Sequence, residues 1–186
     1  CQVTMTAART VTATFTRRTR TLDVEVSGSG AVTSSPDGIE CPDDCIGTYA
    51  DGTTVTLTAT PSTNWVFDKW TDCSGNGATC TVTMSASKSV SATFVPQTRV
   101  LSVQVTGSGA GMVMSTPNGI SCGSDCSQAY VHGTSVTLDY EVMAGTFAGW
   151  TGACTGTGPC VVTMDAAKSV TATFQCPTQP EPCPFL

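Results

Sequence analysis

The sequence is poor in the residues that carry most enzyme chemistry. It holds a single histidine, His132, in 186 residues. With one His, the abundant serines and threonines assemble no convincing Ser-His-Asp set. His132 precedes Gly133 in a turn dipeptide and aligns with Asp51 of an earlier turn. There is no Cys-x-x-Cys-His haem site, no Gly-x-x-x-x-Gly-Lys phosphate loop and no His-Glu-x-x-His helix. Charged residues make up 12%, about half the usual ~25%. Eight Lys+Arg against 14 Asp+Glu leave a net charge of −6, which excludes the basic face of a nucleic-acid binder. No apolar run approaches the ~18 residues of a membrane span, and no signal-peptide pattern stands at the start. We assign no catalytic residue, no metal and no cofactor.

Other features are plentiful. Threonine occupies 34 positions and cysteine 11, and apolar residues reach 40%, too many for a disordered chain. The chain also repeats itself. The segment from Cys80 to Phe94 matches that from Cys160 to Phe174, and both match the opening segment from Cys1 to Phe15. Upstream, Leu22-Asp-Val-Glu-Val-Ser-Gly-Ser-Gly30 matches Leu101-Ser-Val-Gln-Val-Thr-Gly-Ser-Gly109, and Pro36-Asp-Gly-Ile39 matches Pro117-Asn-Gly-Ile120. Two whole repeat domains follow, at 19–94 and 99–174. Residues 1–15 read as the closing hairpin of an incomplete upstream repeat, and 175–186 as a Pro-rich, Cys-containing tail.

Each repeat reads as strands. Leu22, Val24 and Val26 alternate with polar residues, the period of a half-buried strand. Asp51-Gly52 and His132-Gly133 are turn dipeptides ahead of the alternating runs from Val55 and Val136. Threonine and valine suit these pleated surfaces because β-branching restricts χ1. Val82 and Met84 with Val90, Ala92 and Phe94 predict a closing hairpin around Ser85–Lys88. No segment shows ten residues of helical period. The fold class is all-β: tandem small disulfide-bonded repeat domains, β-grasp-like or sandwich-like, with almost no helix.

These residues resemble the divergent InlB B-repeat family. The motif string is Val-x-Gly-Ser-Gly, Pro-x-Gly-Ile-x-Cys-x-x-x-Cys, a Tyr before Gly-Thr-x-Val-Thr-Leu, a Trp before Cys, and Cys-x-Val-Thr-Met through Ala-Thr-Phe. It runs through Gly28, Cys41, Cys45, Tyr49, Trp70, Cys73, Cys80 and Phe94, and again through Gly107, Cys122, Cys126, Tyr130, Trp150, Cys154, Cys160 and Phe174. The resemblance implies a small β-grasp-like module, found in tandem on bacterial surface and secreted proteins, with no catalytic residues and no defined ligand. Repeat 2 departs by two inserted residues near Gly111-Met112 and by Asp139-Tyr-Glu-Val142 in place of Thr58-Ala-Thr-Pro61.

Four cysteines per repeat allow three pairings. The local pairs are favoured, because each brackets a turn-rich loop: Cys41/Cys45 and Cys73/Cys80, then Cys122/Cys126 and Cys154/Cys160. Cys176/Cys183 bracket the tail. A zinc site built from all four cysteines of a repeat is the other reading, though Cys73 to Cys80 is wide for a knuckle. Disulfides place the chain in an oxidising compartment, extracellular or on the cell surface. Cys1 aligns with Cys80 and Cys160, so its partner is expected in the preceding repeat. The second reading lets Val3, Met5, Val11 and Phe15 add to another subunit's open edge, giving a head-to-tail fibre.

Trp65 has no counterpart in repeat 2, where Gly145 stands, and is the candidate for a ligand contact. The acidic residues Asp37, Asp43, Asp44, Asp68 and Asp72 form no calcium loop and read as turn and cap residues. The function these features suggest is a non-enzymatic structural or adhesive module, a stalk or spacer. A filament subunit and a carbohydrate-binding accessory domain are the alternatives. The partners are other copies or upstream repeats of the same protein, with a host or cell-surface glycan or protein as a second class.

Overall fold

The computed structural model describes residues 2–177 and Cys183, and the chain divides into two compact units, Cys1–Val95 and Pro96–Leu186. The first unit holds β1 (Thr19–Ser27), β2 (Gly30–Ser35), β3 (Glu40–Cys41), β4 (Ile46–Ala50) and β5 (Thr54–Pro61). It continues through β6 (Trp65–Thr71), β7 (Ser74–Asn76), β8 (Thr79–Thr83) and β9 (Lys88–Pro96). Two sheets form, ordered β4-β1-β9-β6 and β3-β2-β5-β8-β7. One core fills the space between them. Leu22 and Val24 of β1 and Val90, Ala92 and Phe94 of β9 come from one sheet. Val32 of β2, Val55 and Leu57 of β5 and Val82 of β8 come from the other. All are at most 3% exposed. Alternation along each strand puts these apolar residues on one face and threonines on the opposite face. Each large aliphatic so buried stabilises the unit by roughly 1.5–3 kcal/mol. Among the described residues there is no helix. Of the two expected arrangements, sandwich-like and β-grasp-like, the sandwich is the one formed.

One expectation is corrected. Residues 80–94 are not a paired hairpin, because β8 and β9 lie in different sheets. The chain crosses from one sheet to the other after Thr83, and Met84 at the crossing is fully buried. β9 runs parallel to β1, with Val24 opposite Val90 and Val26 opposite Ala92. Alternation in 80–94 states which residues face inward. It does not state which sheet each strand joins, and β9 finds its partners in β1 and β6.

The second unit repeats this plan. Its strands are β10 (Thr98–Gly107), β11 (Ala110–Thr116), β12 (Ser121–Cys122), β13 (Ser127–Val131), β14 (Ser135–Ala144), β15 (Thr146–Gly152), β16 (Cys160–Thr163) and β17 (Lys168–Gln175). The sheets are β13-β10-β17-β15 and β12-β11-β14-β16. Again the first and last strands of the repeat pair in parallel, Val103 opposite Val170. The glycine that follows the bend into the second strand has a packing reason in both units. A Cβ at Gly30 would run into the Phe94 ring, and one at Gly111 into the Phe174 ring.

The units differ in detail. Among the described residues of the second unit, no strand corresponds to β7. Instead the Trp150 N–H donates to the Gly156 carbonyl at 2.7 Å, and Trp150 Nε1 donates to the Gly158 carbonyl at 2.9 Å. The outer faces differ as well. Thr33, Thr58 and Thr79 form a cross-strand row in the first unit, whereas Met114 faces Asp139 in the second.

Candidate functional site

Residues 2–18 carry no strand. Here the alternating apolar residues of the opening segment point to solvent: Val3 is 40% exposed, Met5 69%, Val11 60% and Phe15 93%. Their counterparts Val82, Met84, Val90 and Phe94, and Val162, Met164, Val170 and Phe174, are buried in the two cores. The hairpin expected over 1–15 is therefore not formed within this chain. Its counterparts are one strand in each of two sheets, with β9 between β1 and β6 and β17 between β10 and β15. An internal position of that kind is not an edge position. Cys1 itself lies outside the described residues.

The cysteines meet in local pairs. Cys41–Cys45 has its Cα atoms 4.9 Å apart, Cys73–Cys80 5.9 Å, Cys122–Cys126 4.3 Å and Cys154–Cys160 5.6 Å. In the tail, Cys176–Cys183 spans 5.5 Å. In each unit one pair closes the loop between the third and fourth strands. The other pins the segment after the Trp-bearing strand onto the penultimate strand. Cys41, Cys80, Cys122 and Cys160 are buried, so the bridges tie these loops directly to the core. Among the described residues, no group of three or more His, Cys, Asp and Glu is placed to hold a metal ion.

Trp65 opens β6 half-buried against the first core, with its ring beside Gly28. The aromatic sets of the units are drawn from different strands. In the first, Phe67 lies 5.2 Å from Trp70 and 5.6 Å from Phe94, centroid to centroid. In the second, Tyr140 joins the set, stacked on Phe147. Tyr140 pairs with Val113 where Ala59 pairs with Val32. Phe67, Trp70 and Phe147 are half-buried, while Phe94, Trp150 and Phe174 are at most 2% exposed.

A polar knot recurs in both units. Ser34 Oγ donates to the Pro36 carbonyl at 2.8 Å and accepts the Ile39 N–H at 2.9 Å. Its proton is thus committed, so the Tyr49 hydroxyl, 2.8 Å away, is the donor to Ser34 Oγ. Ser115, Pro117, Ile120 and Tyr130 repeat these contacts at 2.9, 2.9 and 2.8 Å. Sequence reading quoted the tyrosines as motif positions but missed the serines. Their signal is a Ser placed two residues before each Pro-x-Gly-Ile. Two acidic residues serve turns: Asp44 accepts the Ile46 N–H at 3.2 Å, and Asp125 accepts that of Ser127 at 3.3 Å. Asp51 pairs with Arg20 at 2.6 Å.

A family model described as the divergent InlB B-repeat domain matches residues 21–98 and 101–177. No curated protein matches the chain. Among solved structures, a minor pilin of Streptococcus agalactiae is similar over 88% of this chain and 99% of its own, at 10% identity and TM-score 0.28. The C-terminal fragment of a pilus adhesin from Lactobacillus rhamnosus GG is 7% identical over 88% of this chain and 100% of its own, with TM-score 0.39. A major pilin of Streptococcus pyogenes is 10% identical over 88% and 98%, with TM-score 0.35. Scores this low do not establish a shared fold.

Proposed function

Given that the chain belongs to the divergent InlB B-repeat domain family, we propose that it is a non-enzymatic module of a bacterial surface or secreted protein, acting as a stalk or spacer. The observation that carries this reading is the succession of two like units. Each is a two-sheet sandwich with two local disulfides. Only Gln97 separates the last strand of the first unit from the first strand of the second. Disulfides fit an oxidising exterior, and short closed loops stabilise a domain with a small core by ~2–3 kcal/mol each. In small-angle scattering of arrays with two, three and four repeats, the maximum dimension should grow by a constant increment per repeat. An increment that falls toward zero as repeats are added would overturn the spacer reading.

A second reading, a filament subunit joined head to tail, is favoured by the exposed apolar residues of 2–15. Deleting residues 1–15 should abolish chain-to-chain association while both units keep their thermal transitions. Association unchanged by the deletion would exclude it.

A further inference from the structure

The two units build the same turn with different side chains. In the first, the Asp51 N–H donates to the Arg18 carbonyl at 2.8 Å. In the second, the His132 N–H donates to the Gln97 carbonyl at 2.8 Å. Arg20 lies opposite Tyr49 where β1 meets β4, and Arg99 lies opposite Tyr130 where β10 meets β13. Backbone and arginine thus hold equivalent places in both units. The acidic partner does not recur, because His132 stands where Asp51 does.

The difference falls on one donor. Arg20 Nε donates to Asp51 Oδ1 at 2.6 Å. Arg99 Nε is closed to solvent and has no hydrogen-bond partner among the described residues. The guanidinium is nevertheless held in place, since its Nη2 donates to Gln97 Oε1 at 2.9 Å. Gln97, Arg99 and His132 are each half-buried. A guanidinium stays protonated, and a charged donor shut away from water without an acceptor is unfavourable. Gln97 satisfies one N–H but brings no negative charge. His132 brings none either, and its ring nitrogens do not reach Nε.

We propose that Arg99 anchors a binding site in the second unit for a carboxylate carried by a ligand. The carboxylate would take on Arg99 the place that Asp51 takes on Arg20. Carboxylate is the group that matches the planar guanidinium fork in charge and in shape, and the first unit already seats one on the equivalent atom. That place is reached from solvent, because the Asp51 side chain that fills it in the first unit is 44% exposed. The His132 side chain turns aside on the same turn to admit the ligand. The first unit is closed to such a ligand by its own Asp51. The site goes beyond the spacer reading, since it gives one of two like units a ligand that the other cannot take.

The test follows the Nε–H NMR signals of Arg99 and Arg20 in the full chain, with acetate replacing chloride at constant ionic strength. Acetate should shift the Arg99 signal saturably and leave the Arg20 signal in place. Asp51→His should give Arg20 the same response. His132→Asp should abolish the response of Arg99 and raise the thermal transition of the second unit, because the carboxylate is then built in. Parallel titrations with D-glucuronate and with an acetylated aspartate amide separate a sugar acid from a peptide side chain. A saturable Arg99 shift with either supports the site, and the tighter of the two names the source. An Arg99 signal unmoved by all three compounds would overturn the proposal. So would a shift that Arg20 shares in the wild-type chain, or one that survives His132→Asp, since either would mark general anion exposure.

Discussion

Tyr140 stacks on Phe147 with ring centroids 3.7 Å apart and planes 21° from parallel. It lies on β14 opposite Val113, where the first unit has only Ala59 opposite Val32. The second unit thus draws an aromatic from one sheet onto the aromatic set of the other. A double-mutant cycle with Tyr140→Ala and Phe147→Ala should show a coupling of about 0.5–1.5 kcal/mol beyond the separate losses of burial. Strict additivity in denaturant unfolding would show that the stacked pair contributes no interaction of its own.

The two motif tryptophans should not be equivalent. Trp150 is 2% exposed and its Nε1 is hydrogen-bonded, whereas Trp70 is half-buried and its Nε1 has no partner. Trp150→Ala should cost its unit about 3–5 kcal/mol, the usual cost of an aromatic cavity. Trp70→Ala should cost its unit distinctly less. The melting transitions of the two units, measured by calorimetry, check the order. Equal losses would contradict the difference in burial.

The buried Ser115 hydroxyl satisfies three groups at once. In Ser115→Ala, the Ile120 N–H loses its acceptor and the Tyr130 hydroxyl keeps only the Pro117 carbonyl at 3.3 Å, which should cost about 1–3 kcal/mol. Val131→Ala, at an exposed position on the same strand as Tyr130, should cost far less. Hydrogen exchange at the Ile120 amide is the direct check, and it should accelerate only in the serine variant.

Peptide mapping without reduction should recover Cys41–Cys45, Cys73–Cys80, Cys122–Cys126 and Cys154–Cys160. Stoichiometric zinc that a chelator removes with loss of the fold would be the contrary result. Replacing Cys154 and Cys160 together by Ala should lower the second unit's stability by about 2 kcal/mol, as expected for a short closed loop.

Asp165 sits 2.8 Å from the Lys168 ammonium in the turn between β16 and β17. The hydrogen bond from Lys168 holds its carboxyl below the ordinary value. A carboxylate depressed in the folded chain stabilises it above the unfolded-state pKa, and that contribution is lost as pH falls through the folded one. The window therefore lies below about pH 4. Lys168→Ala should move the Asp165 titration midpoint upward in NMR while leaving the neutral-pH melting temperature almost unchanged, because the pair is open to solvent screening.

Much of the architecture is legible in residue order alone. The alternation at Leu22, Val24 and Val26, and at Val90, Ala92 and Phe94, names the inward faces, because a strand's side chains alternate with a period of two. The matching strings at 80–94 and 160–174 name the repeat. The bends at Gly28 and Gly107 also show in sequence. Both take positive φ, of 88° and 104°, where only glycine is unstrained.

Sheet membership is not legible in that way. Alternation is the same whether Val82 and Val90 share one sheet or face each other across the core. Only the packing of the whole unit sends β8 beside β5 and β9 beside β1. The same limit applied to Tyr140, which reads in sequence as one residue of a divergent stretch. Its role depends on Phe147, seven residues away on the facing sheet, and that proximity exists only once the chain has folded. The opening segment shows the division most clearly. Its residues Val3, Met5, Val11, Ala13 and Phe15 repeat those of two buried strand pairs, yet Val3, Met5, Val11 and Phe15 lie open to solvent. That the counterparts are buried, one strand in each of two sheets, was decided by the tertiary structure, because a buried position is a property of the neighbours and not of the residues that fill it.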